Sequence, residues 1–122
     1  MNAKRKILVL EDEKPLAHAL ELKLTHEGFE VETAENGENI VATLEKSPVS
    51  LIVCDMLMPK VDGFQVLQIL KDNKIKVPVV VLTNLSQGED EKRVRELGAV
   101  DFLVKSDSSI SEVVEKLKTY LV

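Results

Sequence analysis

Leu51-Ile52-Val53-Cys54 is an unbroken apolar run that stops at an acid, Asp55. A strand with one wet face alternates apolar and polar residues, so a run without alternation belongs to a strand covered on both faces. Val77 to Leu82 repeats the pattern and ends at Thr83-Asn84. Two such runs constrain the fold strongly. Strands buried on both faces are typical of parallel sheets, whose crossover connections are usually helices laid over the sheet.

The rest of the chain supplies those helices. Lys6 to Leu10 reads as a first strand, followed by the acidic turn Glu11-Asp12-Glu13. Pro15 suits the first turn of a helix, where its missing N–H costs nothing. Leu16, Leu20 and Leu24 then recur at helical spacing, and Gly28 ends the segment. Phe29 to Ala34 alternates in the manner of an exposed-edge strand, and Asn36-Gly37 marks a turn. A second helix carries Ile40, Val41 and Leu44 inward until Ser47-Pro48 stops it. Gly63 to Asn73 is a third helix, anchored by Val66, Leu67 and Leu70.

A fourth helix, about Gln87 to Leu97, offers only Val94 and Leu97 as clear apolar anchors. Helices hold mainly by burying an apolar face, so this one is expected to be loosely held. Phe102-Leu103-Val104 forms a fifth strand ending at Lys105. The last helix opens with Ser109 and Glu112 at capping-box spacing and aligns Ile110, Val113, Val114, Leu117 and Leu121. Five strands alternating with five helices predict a single α/β domain over residues 1–122, a doubly wound (βα)5 unit. Its five-stranded parallel sheet should have the order 2-1-3-4-5, with helices on both faces.

Charge and composition exclude several classes. The 122 residues include 16 basic and 21 acidic side chains, a formal net charge of −5. That balance argues against direct binding to a nucleic-acid backbone. Lys4-Arg5-Lys6 is the one basic cluster and reads as a solvated N-terminal segment. The single cysteine, Cys54, rules out an internal disulfide and suits a cytoplasmic protein, its thiol expected in the core. No apolar run is long enough to span a membrane. His18 and His26 lie on the first helix without a third ligand and read as surface or packing residues. Met56 and Met58 read as packing around the loop after Asp55.

The polar residues that end the apolar runs gather on one edge. Glu11 and Asp12 follow strand one, Asp55 strand three, Thr83 strand four and Lys105 strand five. In a parallel sheet these ends share the edge where open α/β sheets bind ligands. Singly, each has an ordinary explanation: an aspartate after a strand starts a turn or caps a helix, and a lysine there is solvated. Jointly they make a constellation of three carboxylates, a hydroxyl and an ammonium. Crowded carboxylates attract a hard cation such as Mg²⁺ or Ca²⁺. An aspartate can also act as a nucleophile toward phosphorus.

These residues resemble the response-regulator receiver domains. The resemblance covers essentially the whole chain. It rests on Ile7-Leu8-Val9-Leu10-Glu11-Asp12-Glu13, on Cys54-Asp55-Met56-Leu57-Met58-Pro59 with Asp62-Gly63, on Thr83, and on Phe102-Leu103-Val104-Lys105. It implies that Asp55 accepts a phosphoryl group from a phosphohistidine of a histidine kinase or histidine phosphotransfer protein, with Mg²⁺. Asp12 and Asp55 would bind the metal directly, Glu11 through water, and Leu57 through its backbone carbonyl. Thr83 and Lys105 would hold phosphoryl oxygens. Thr83 and Phe102 would form the switch, read out on the face of helix four, strand five and helix five. That face would serve an unidentified output protein or domain, and the chain would be a monomer or a phosphorylation-dependent dimer. Such a receiver is a phosphoacceptor that assists its own phosphorylation and dephosphorylation, not an enzyme with a released product. It is expected either to stand alone or to belong to a larger regulator.

Three departures from the family pattern carry expectations. Ser106 follows Lys105 where proline is usual, so this loop is expected to relax toward a trans peptide and shift or loosen Lys105. Asn84 follows Thr83 where a small residue is usual, and would restrict access to the phosphoryl group or hydrogen-bond to it. Leu57 and Leu85, two places after Asp55 and Thr83, cannot orient an attacking water, which implies a slowly hydrolysing aspartyl phosphate. Two other readings remain open at this stage. A haloacid-dehalogenase-type phosphatase would need an acid where Leu57 stands, and the retained acids, Thr83 and Lys105 weigh against a degenerate, purely protein-binding receiver.

Overall fold

The computed structural model describes residues 5–85 and 88–121. Strands β1 (Lys6–Leu10), β2 (Glu30–Ala34), β3 (Leu51–Cys54), β4 (Val79–Thr83) and β5 (Asp101–Val104) alternate with helices α1 (Lys14–His26), α2 (Ile40–Lys46), α3 (Gly63–Asp72), α4 (Glu89–Glu96) and α5 (Ile110–Lys118). All strand pairs are parallel and the order is β2-β1-β3-β4-β5. This is the doubly wound arrangement that the apolar runs required.

Alternation along the strands divides the core between the two faces. Ile7, Val9, Leu51, Val53, Val80 and Leu82 pack with Leu20 and Leu24 of α1 and with Val113, Val114 and Leu117 of α5. Leu8, Leu10, Ile52, Cys54, Val79, Val81 and Phe102 face the other way, onto Ile40, Leu44, Val66, Leu67, Leu70 and Val94. Cys54 is fully buried, and burial pushes its thiol pKa well above the ordinary value. Its place is the core, as expected. His18 and His26 are exposed, while Met56 and Met58 are buried under the loop after Asp55.

Some boundaries differ from the sequence reading. β4 begins at Val79 rather than Val77 because Pro78 has no N–H for the ladder; its carbonyl still accepts from Ile52 N at 3.0 Å. α4 is described over Glu89–Glu96, and Gln87, the expected start, lies outside the described residues. Of the basic cluster, Lys4 also lies outside them and Arg5 is exposed. Lys6 turns away from solvent, donating to Ser47 Oγ at 2.6 Å and pairing with Glu32 at 2.8 Å. None of the described helices is long and apolar enough to cross a membrane.

Register brings the strand ends level. Leu10 pairs with Cys54, so Glu11 and Asp55 are the first residues beyond the same edge. Thr83 pairs with Val104, which places Asn84 and Lys105 next to each other in the same sense.

Candidate functional site

Asp55 is built into its position from behind. Its backbone N–H donates to Leu10 O at 3.0 Å, extending the β1–β3 ladder by one residue. Its Oδ1 accepts from the N–H groups of Met56 (2.7 Å) and Leu57 (3.3 Å). Below the loop, Gly63 donates to Met56 O at 3.1 Å and begins α3. A Cβ there would stand 2.4 Å from the Asp55 carbonyl oxygen and 2.8 Å from Met56 Cα, so only glycine permits this approach. Asp62 and Gln65 close a capping box on α3 with bonds of 2.9 Å each way. Its Asp-x-x-Gln spacing is legible in the sequence.

Lys105 reaches across from β5 and gathers the acids. Its Nζ lies 2.8 Å from Asp55 Oδ2 and 2.9 Å from Glu11 Oε1, and it also pairs with Glu13. Asp55 and Glu11 are buried. Buried charges are tolerated when paired, and Lys105 supplies the pairing. Burial opposes its own charge, but hydrogen bonds to Asp55, Glu13 and Glu11 outweigh that and raise its pKa. Glu11 is pushed up to about 7, mainly by burial, against the stabilising contacts of Lys105 and the Glu13 N–H. A carboxyl perturbed by burial beside a charge partner at the mouth of a sheet makes this a candidate functional site.

Glu11, Asp12 and Asp55 each place a carboxylate oxygen within 4.8 Å of the others. The donor set is all oxygen and anionic, which fits a hard divalent cation, and Mg²⁺ needs few protein ligands. Thr83 is fully buried at the end of β4, its Oγ1 accepting from Leu85 N at 3.4 Å. Leu57 is exposed on the loop whose N–H holds Asp55. Phe102 is packed inward against the α3–α4 side of the core.

Residues 7–118 match the model of the response regulator receiver domain. The chain belongs to the response-regulator receiver family. It is 43% identical over 104 residues to the probable transcriptional regulator ycf27 of Pyropia yezoensis, covering 85% of this chain and 42% of that protein. It is 37% identical over 118 residues to the regulatory protein VanRc of Enterococcus gallinarum, covering 95% and 49%. The receiver thus spans about half the length of these curated relatives. Among solved structures, the Francisella response regulator 1452 receiver domain superposes with a TM-score of 0.88 at 28% identity, covering 96% of each chain. Receivers of two-component signalling are phosphoacceptors rather than conventional enzymes, and generally bind Mg²⁺ at an acidic pocket such as this one.

Contacts join Glu11, Asp55 and Lys105, and Asp12 stands in the same carboxylate group. Thr83 is the last residue of β4, whereas Phe102 lies within β5, paired with Val81, short of that edge. The sequence reading missed three features of this receiver. Glu13 is a partner of Lys105. Asn84 Oδ1 accepts from the N–H of Ser106 at 3.0 Å, so two of the departures from the family pattern touch. Asp101 is a buried hub, accepting from Tyr120 Oη at 2.6 Å and Arg95 Nη2 at 3.3 Å, with Lys116 at 3.8 Å.

Proposed function

We propose that this receiver is a phosphorylation switch in which Asp55 takes a phosphoryl group from a phosphohistidine of a histidine kinase or histidine phosphotransfer protein. The observation that carries the reading is the divided environment of the Asp55 carboxylate. Oδ1 is held by the N–H groups of Met56 and Leu57, while Oδ2 faces the Lys105 ammonium. The first interaction orients the carboxylate, and the second sets the other oxygen against a cation that can move onto the phosphoryl group. That oxygen attacks phosphorus, the P–N bond of the donor breaks, and the imidazole keeps the electron pair and takes a proton. Lys105, released from Asp55 Oδ2, then pairs with a phosphoryl oxygen, and the Thr83 hydroxyl donates to another.

Asp12 and Asp55 would hold Mg²⁺ directly, with Glu11 acting through water and the Leu57 carbonyl completing the protein share. The ion, when bound, supplies charge neutralisation at the phosphoryl oxygens. Turning Thr83 toward the phosphoryl group alters the end of β4. Phe102 and α4 respond, so the face of α4, β5 and α5 changes for an output partner or a second receiver. Leu57 and Leu85 offer no hydrogen bond to an attacking water, so the aspartyl phosphate should hydrolyse slowly.

Incubation with Mg²⁺ and acetyl phosphate followed by intact-mass measurement tests the reading. A single phosphoryl adduct that outlasts minutes, absent in Asp55→Asn and not formed when EDTA replaces Mg²⁺, is the expected result. An adduct lost within seconds removes the slow-hydrolysis claim. No adduct under any condition makes the domain a purely protein-binding one, and turnover of a phosphoester makes it a phosphatase.

A further inference from the structure

Two of the positions at which this chain leaves the family pattern are bonded to each other. Asn84 directly follows Thr83, the last residue of β4, and Ser106 directly follows Lys105, the first residue beyond β5. The last described pair of the β4–β5 ladder is Thr83 with Val104. Beyond it, the Asn84 side-chain oxygen takes the place of a backbone carbonyl and accepts the Ser106 N–H at 3.0 Å.

Asn84 and Ser106 are both exposed, so without this bond the N–H would be left to water. Lys105–Asp107 is a short 3₁₀ turn entered from Val104, which has no side-chain cap, and the first N–H groups of any helical turn lack partners of their own. Asn84 caps this turn from the neighbouring strand. A proline at 106 would present no N–H, and a small residue at 84 would present no acceptor. Asparagine and a non-proline residue are therefore complementary here.

We propose that the Asn84–Ser106 hydrogen bond is a clamp that positions Lys105 against Thr83, making Asn84 and the Ser106 backbone positioning elements for phosphoryl capture. The inference rests on the phosphoacceptor reading. Lys105 and Thr83 approach the phosphoryl group from adjacent strands, and their separation beyond the ladder is set by whatever joins the loops. The clamp joins them one residue past each. It also gives the Lys105 loop an anchor that does not depend on the residue that follows being proline. Small displacements of a charge-bearing group reduce the rate of a positioned reaction.

The test uses the full chain and two readouts. Solvent exchange of the Ser106 amide, followed by NMR, reports the bond itself. The rate of phosphorylation by acetyl phosphate, with Mg²⁺, reports its consequence. Asn84→Ala and Asn84→Leu both remove the acceptor, and Leu keeps the bulk. Each should raise Ser106 exchange by about fivefold, the scale of one neutral hydrogen bond, and slow phosphorylation by roughly threefold at saturating donor. Asn84→Asp, which keeps an acceptor, should retain the Ser106 protection. Ser106→Ala keeps the backbone N–H and should be silent in both readouts. In Ser106→Pro the donor is gone, so adding Asn84→Ala should change the rate no further.

Unchanged Ser106 exchange in Asn84→Ala overturns the clamp. Faster phosphorylation in Asn84→Ala with an unaltered rate in Asn84→Leu also overturns it, and makes Asn84 a steric gate. If the wild-type chain takes no phosphoryl group, the phosphoacceptor reading falls and the positioning role with it. The exchange measurement would still show separately whether the bond exists.

Discussion

Helices α4 and α5 flank β5, are nearly the same length, and are held very differently. α5 buries Val113, Val114 and Leu117, opens on a Ser109–Glu112 capping box, and continues into Lys118, which donates to Glu27 beside the end of α1 at 2.7 Å. α4 buries Val94 and is entered from Gly88, where φ is +87° and no side chain caps the helix. Leu97 at its C-cap packs partly buried against the same core, and the other contacts shown for α4 are polar or cation–π ones near the surface. Glu91–Arg95 at 3.0 Å is worth a few tenths of a kcal/mol, and Arg93 over the Phe64 ring at 4.1 Å adds about 0.5–1 kcal/mol. Acidic residues in the first turn, Glu89, Asp90 and Glu91, compensate the helix dipole in place of a cap. The comparison teaches where a switch can be placed. An element anchored by one buried valine opens at less cost than the domain unfolds, and moving parts come from that low-stability end.

Three measurements break or sharpen this contrast. The largest effect belongs to Leu117→Ala, which empties a fully buried site under α5 and should lower the urea-unfolding free energy by roughly 2–5 kcal/mol. Amide protection should fall throughout the domain in that variant, since α5 is part of the cooperative core. Val94→Ala should cost less, about 1–2 kcal/mol for the lost apolar burial. Its loss of hydrogen-exchange protection should concentrate in α4 and leave β1 and β3 near their wild-type values. Global loss of protection in that variant would show α4 to be as integral as α5, and the contrast would fail.

The smallest effect concerns the group that α4 and α5 share. Asp101 sits between Arg95 of α4 and Tyr120 and Lys116 at the other helix. Burial works against its charge, but the Tyr120 hydroxyl, the Phe102 N–H, Lys116 and Arg95 outweigh it and hold the carboxyl below the usual range. A depressed folded pKa means that the stabilisation is complete above the unfolded carboxyl's value of about 3.9. It is lost as pH falls through the lower folded value. Wild-type melting temperature should therefore drop on acidification below about pH 4 more steeply than that of Asp101→Asn. Parallel curves for the two proteins would remove Asp101 as the link between the helices.

Much of this molecule is legible one segment at a time. The runs read at Leu51–Cys54 and Val77–Leu82 announce two-sided burial, and the strands they form, the second from Val79, both lie inside the sheet. The inward stripes of α1, α3 and α5 fall where helical periodicity puts them, and the poverty of α4 is visible in its composition. The edge carrying Glu11, Asp12, Asp55, Thr83 and Lys105 follows from strand ends alone. Contacts between distant segments were not legible. Glu13 reaches Lys105 across 92 positions and Asn84 reaches Ser106 across 22. Asp101 reads as one more polar residue before a strand until Arg95, Tyr120 and Lys116 converge on it.

By itself, then, the sequence determined the layering, the parallel sheet and the side of the sheet on which chemistry collects. Hydrophobic period and the residue at which a run stops are local properties, carried by a few neighbouring side chains. Tertiary structure alone decided which acids Lys105 pairs with, that Asn84 caps the turn containing Ser106, and that Asp101 joins α4 to α5. Those choices depend on through-space distances of about 3 Å, which are set by strand register and helix packing rather than by spacing along the chain.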